Sequence, residues 1–163
     1  MRKHSLKKTS EGFTLTETLV TASIVAILSS IALPNYTQSV CRSNQSEAIS
    51  ELSMLQTTAM SYKDEFGSQP ESWEQMNAIA PTQTLTSDGS KSKASGLLKG
   101  TTQKLRSGKY EITTKSTNET LTFTAEPTKG CENYNAQACI NTKDGESDIE
   151  TGNQTTSAAT TSC

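Results

Sequence analysis

Residues 13–33 form an almost unbroken apolar run of 21 residues that carries one charge, Glu17, and is closed by Pro34. A helix needs roughly 20 such residues to cross a bilayer. The run therefore predicts a membrane-spanning helix and leaves the remainder of the chain to fold outside it. Glu17 is out of place in such a segment: an ionisable group at mid-helix is penalised by roughly 3 kcal/mol on insertion scales, and it marks function by default. It needs a partner. Arg2, Lys3, Lys7 and Lys8 precede the run and a polar region follows it, which puts the N-terminus in the cytoplasm and the C-terminus outside.

A cut between Gly12 and Phe13 would supply that partner, because the new α-amino group, with a reference pKa of roughly 8, would lie one helical turn from Glu17. The stretch Glu11-Gly12-Phe13-Thr14-Leu15-Thr16-Glu17 resembles the processing site of type IV prepilins and the related pseudopilins. The resemblance covers residues 11–50. It implies that a prepilin peptidase cuts after Gly12 and methylates Phe13, that Glu17 is the buried carboxylate meeting a neighbouring subunit's N-terminus during assembly, and that Pro34 is a helix-bending proline. The implied fold is α+β, with a long N-terminal helix whose first half is transmembrane and whose second half packs on a small antiparallel sheet. The implied partners are further copies of the chain in a helical filament, the peptidase and N-methyltransferase, and the assembly machinery of the inner membrane. The chain would wait there as a single-pass protein and end in a pilus at the cell surface.

On this reading, residues 1–12 are a leader, 13–34 the membrane and filament-core helix, 35–66 an amphipathic continuation, and 67–163 a globular region. Thr16, Thr18, Thr21 and Ser23 stand where the family mostly carries larger apolar residues. Their hydroxyls can bond back to the preceding turn, so insertion survives. A secretory signal peptide, with Ser30-Ile31-Ala32 as its cut site, accounts for the basic start and the apolar run. It fits less well, because Glu17 would fall inside a hydrophobic region longer than the usual span of about 7–15 residues.

Outside that run the chain is polar: hydrophobic residues make up 32 % and aromatics 5 % of the whole, so the core is thin. Loss of the leader, whose net charge is +3, shifts the formal charge from −2 to −5. All four cysteines, Cys41, Cys131, Cys139 and Cys163, lie on the exported side, where disulfides persist. Three pairings are open to them. The family often ties its C-terminal region back to the body, which implies Cys139 with Cys163 and leaves Cys41 to Cys131. The one histidine, His4, is in the leader, so histidine-based triads and metal sites are excluded from the mature chain. No phosphate-binding glycine motif occurs either. A structural subunit, with no catalytic residues, metal or cofactor, is the expected class.

Along the exported part, Ala48, Ile49, Leu52, Leu55, Ala59, Tyr62 and Phe66 recur every three or four residues, extending the helix to Gly67. From Phe13 this is 54 residues, about 80 Å at 1.5 Å per residue. Residues 67–108 read as a long connection with one short helix, Glu71 to Ile79, its Trp73 and Met76 facing inward. Between Ser90 and Tyr110 lie Lys91, Lys93, Lys99, Lys104, Arg106 and Lys109 without an acidic residue, a contact that could serve DNA phosphates. Interleaved aromatics for base stacking are lacking, and a solvated loop is the plainer reading. Period-two alternation then predicts a hairpin from Lys109 to Glu126, and Asp144-Gly145 predicts a second in which Lys143 opposes Glu146 and Ile140 opposes Ile149. Acidic residues around Asp144 fail the EF-hand order, since Ile149 stands where glycine is required. The Thr/Ser/Ala tail from Thr155 is expected as a surface arm held by Cys163. Two further readings share these features: a pseudopilin of a secretion or competence system, and a DNA-binding minor pilin.

Overall fold

The computed structural model describes residues 12–158 and 160–163, so the leader up to Glu11 lies outside the described residues. Helix α1 runs Leu15–Phe66, with Pro34 inside it. The chain divides into two units, residues 1–37 and 38–163.

In the first unit the helix exposes its apolar side chains, among them Leu19, Ile24, Ile27, Leu28 and Ile31. Its hydroxyls bond back along the helix, Thr21 to the Glu17 and Thr18 carbonyls and Ser23 to Leu19 at 2.8 Å. No hydroxyl proton so engaged needs water, which is the condition for a polar group in hydrocarbon. By length and composition α1 is apolar enough to cross a membrane.

The second unit packs the rest of α1 on a five-stranded antiparallel sheet. Helix α2 spans Trp73–Ile79, followed by β1 (Gln83–Leu85), β2 (Lys91–Lys93), β3 (Thr102–Lys104), β4 (Tyr110–Ser116), β5 (Thr120–Pro127), β6 (Ala136–Asn141) and β7 (Ser147–Thr151). Strands β3 to β7 lie side by side in chain order, while β1 and β2 pair as a separate ribbon. This is the α+β arrangement that the resemblance implies: a long N-terminal helix with a small antiparallel sheet. One sheet face supplies Ile112, Leu121, Phe123, Ala125, Ala136, Ala138 and Ile140 to a core shared with Ala48, Leu52, Leu55 and Ala59 of α1. Alanines on both surfaces let helix and sheet approach closely. The opposite face is polar: Thr102, Thr113, Thr124, Gln137 and Glu150 stand in one transverse rank across all five strands.

Four expectations change. The connection after α1 contains three short strands, too brief for a visible period of two. Helix α2 starts at Trp73, because Ser72 and Gln75 form a reciprocal capping box there. Phe66 stays 52 % exposed, stacking on Tyr62 with ring centroids 4.5 Å apart. In the last hairpin Ile149 opposes Ala138 and Ile140 opposes Ser147, two residues away from the expected register. The cause is Thr142, which leaves the ladder: its N–H donates to Glu119 O and its hydroxyl lies within bonding distance of Gln69 Oε1. The loop lengthens, Gly145 N–H donates to Asn141 O, and Lys143 pairs with Glu119 at 3.2 Å instead of facing Glu146. A two-residue slip keeps the same side chains on the core face, so the alternation is unaffected.

Two disulfides close the unit, Cys41–Cys131 and Cys139–Cys163. The segment after β7 crosses the polar face to reach Cys139, donating backbone N–H groups from Ala158 to Asn135 Oδ1 and from Thr161 to Gln137 Oε1. It starts at Gly152, where a Cβ would lie 1.9 Å from Asn133 O. No other residue type fits.

Candidate functional site

The N-terminal end of α1 is built by Thr14 and Glu17. Thr14 caps the helix: its hydroxyl accepts from Glu17 N–H at 3.2 Å, while its own N–H and hydroxyl both donate to Glu17 Oε2 at 2.8 Å. This is a capping box, in which a Thr and a Glu three residues apart satisfy each other's orphan donors. Glu17 thus sits in the first helical turn, where the helix dipole favours negative charge. Thr14 is the site residue that attention to Glu17 alone passes over, although the Thr-x-x-Glu spacing before an apolar run is its signal. Both bonds fall on one carboxylate oxygen.

Gly12 and Phe13 precede the helix, and Phe13 is 90 % exposed. The peptide between them therefore lies just ahead of the helix start. Pro34 interrupts the ladder of α1 by lacking an N–H. Close to it the Asn35 amide donates to Ile31 O at 3.1 Å, and the Thr37 hydroxyl donates to Pro34 O at 2.9 Å.

In the second unit, two glutamines of α1 reach the sheet. Gln45 Nε2 donates to Asn135 O at 3.0 Å and Gly152 O at 2.7 Å, and Gln56 Nε2 donates to Cys139 O at 2.6 Å and Asp148 O at 3.0 Å. Cys139 and Asp148 are direct partners in the β6–β7 ladder, and Asn135 and Gly152 continue the same register. Each amide thus ties together the two strands at one end of the ladder.

The six cations of residues 91–109 are dispersed. Lys109 is spent on α1, 2.7 Å from Asn44 Oδ1 and 4.0 Å from Glu47. Arg106 acts on Glu51, whose carboxyl is nonetheless held above its ordinary value, first by burial and then by Glu47. Lys99 lines a cleft with Glu71, Asn118 and Glu119. Lys93 and Lys104 line a different groove, between the β1–β2 ribbon and β3, while Lys91 lies on β2.

Comparison with known proteins finds similarity over part of the chain. The family model described as the prokaryotic N-terminal methylation motif matches residues 7–33. The type IV major pilin protein PilA of Myxococcus xanthus (strain DK1622) is 38 % identical over 65 residues, 40 % of this chain and 30 % of that protein. Two fimbrial proteins of Pseudomonas aeruginosa are each 41 % identical over 54 residues, 33 % of this chain and 35 % of theirs. The chain thus spans about a third of the length of the curated relatives it matches. No solved structure matches it.

Proposed function

We propose that this type IV pilin-like chain is a structural subunit of a surface filament, made as a membrane-anchored precursor, cut between Gly12 and Phe13, methylated on Phe13 and polymerised through the first half of α1. The observation that carries this reading is the placement of Glu17. Within a water-free bundle an uncompensated carboxylate is heavily penalised. The capping box supplies two donors to Oε2 but no positive charge. The α-ammonium of a neighbouring copy, freed by the cut, supplies the charge, and Oε1 is the oxygen left to meet it. Charge matching then sets the axial register between subunits.

The exposed apolar surface of residues 15–33 agrees with a segment that is covered twice, by lipid before assembly and by neighbouring helices afterwards. Pro34 is proposed as a bend between the membrane half and the exported half, and residues 1–12 as the leader that orients the precursor. The second unit, with two disulfides, a thin core and a polar surface, serves as the outward-facing body, and the role proposed for the chain is structural.

The test pairs two measurements. Intact mass and N-terminal sequencing of the cell-derived protein are expected to give a methylated Phe13 as first residue; a chain that retains the leader, or that begins after Ala32, overturns the reading. Glu17→Ala is expected to insert normally in the membrane and to yield few or no filaments by electron microscopy. Wild-type filament yield from that variant would reject the charge-matching step.

A further inference from the structure

We infer that the groove between the β1–β2 ribbon and β3 binds an acidic polysaccharide, a chain of sugars carrying carboxylate or sulfate groups. The groove has a volume of about 560 Å³, within the range of sites for small ligands. Its cations are Lys93 and Lys104, one from each wall; neither forms an ion pair among the described residues. Elsewhere in the basic stretch Lys109 is committed to α1 and Arg106 lies beside Glu51, while Lys91 and Lys99 lie outside the groove lining. Apart from Leu85 and Gly89, the rest of the lining is hydroxyl and amide, including Thr84, Ser92 and Gln103, with Glu111 as its one carboxylate.

This mixture discriminates between polyanions. A phosphodiester backbone offers charge but few free hydroxyls, and its single strands are held by cations with stacking aromatics. The groove has no aromatic residue in its lining, while its hydroxyls and Glu111, cross-strand partner of Lys104, call for hydroxyl donors that such a backbone lacks. An acidic sugar chain carries free hydroxyls on its units beside its acid groups. Its acid groups suit Lys93 and Lys104, while its hydroxyls donate to Glu111 and exchange bonds with the threonine and serine lining. The wall geometry is held independently of any ligand. Gln103 Nε2 donates to Ser95 O at 2.8 Å, and a bridge between Thr84 and Leu105 joins the ribbon to the end of β3.

The site belongs to the second unit alone, so its test does not depend on filament assembly. Full-length protein in non-ionic detergent would be passed over biosensor surfaces carrying polygalacturonate, chondroitin sulfate, neutral dextran or duplex DNA, at low and physiological salt. Polygalacturonate or chondroitin sulfate is expected to bind and dextran not to bind. The double substitution Lys93→Gln with Lys104→Gln is expected to weaken binding about tenfold or more, as loss of charge-assisted hydrogen bonds does. Lys99→Gln, outside the groove, should leave it unchanged. The inference is overturned by absence of binding to both acidic polysaccharides, by tighter binding of DNA, or by equal losses in Lys99→Gln and the double variant, which would reduce the effect to net charge.

Discussion

Glu17 and Glu51 show how differently one residue type is handled along a single helix. The first lies in a helix-capping box with two donors on one oxygen. The second is half-buried beside Glu47, and burial together with that like charge holds its carboxyl above the ordinary 4.5, with Arg106 giving partial relief. A carboxyl raised in the fold binds its proton more tightly there than in the unfolded chain. Its contribution is therefore fully present below pH 4.5 and is lost as pH rises through the folded value. Glu51→Gln is accordingly expected to raise the melting temperature at pH 7, with the gain shrinking towards pH 4; a gain that is constant across this range would exclude ionisation as its cause. Tyr110 behaves in the opposite pH range. Burial pushes its phenol up to about 12 while its hydroxyl donates to Tyr134 O at 2.6 Å, so ionisation in the unfolded chain favours unfolding above about pH 10.

Among elements, the β6–β7 ladder is tied to the helix through Gln45 and Gln56 as well as held by its own hydrogen bonds. Gln56→Leu keeps the side-chain volume but removes two donors from buried carbonyl oxygens, and is expected to lower stability by about 1–3 kcal/mol. Gln38→Leu, which loses only an exposed bond to Gln154, should change it by less than about 0.5 kcal/mol. Urea unfolding in detergent checks the pair, and equal effects would mean that the buried amides do not brace the ladder. Much at this scale is legible in the sequence. Tyr110, Ile112, Leu121 and Phe123 announce a hairpin because seven and eight residues show a period of two clearly. Three-residue strands such as β1 to β3 contain barely one repeat, so composition leaves them looking like loop. Gln45 and Gln56 read as polar interruptions of an apolar stripe, since their acceptors come from residues 83 to 107 positions away. The slipped register of the last hairpin has the same origin: Thr142 answers to Gln69 and Glu119, which no local turn rule contains.

For the whole molecule, the Cys41–Cys131 and Cys139–Cys163 bonds span 90 and 24 residues. Loop-closure entropy gives the longer bond about 1 kcal/mol more stabilisation than the shorter, on totals of about 3 to 5 kcal/mol. The Cys41→Ser with Cys131→Ser variant is thus expected to melt lower than Cys139→Ser with Cys163→Ser. The latter should chiefly loosen residues 153–162, a difference that hydrogen exchange measures; the reverse order of melting would show that the crossing segment braces the sheet more than chain entropy suggests. The proposed cleavage and assembly residues, Gly12, Phe13 and Glu17, come from one short stretch, whereas the groove proposed for an acidic sugar chain is not legible there, because Lys93 and Lys104 come together only when the ribbon folds beside β3. The paired glutamines carry a last implication for how this chain can vary. They stand 11 positions apart, about 20° past the same angular position after three turns, and both engage a single rail of paired strands. Inserting or deleting one residue between them would rotate one amide by about 100° away from its acceptors, so that interval should reject length changes that the tip at residues 87–89 absorbs freely.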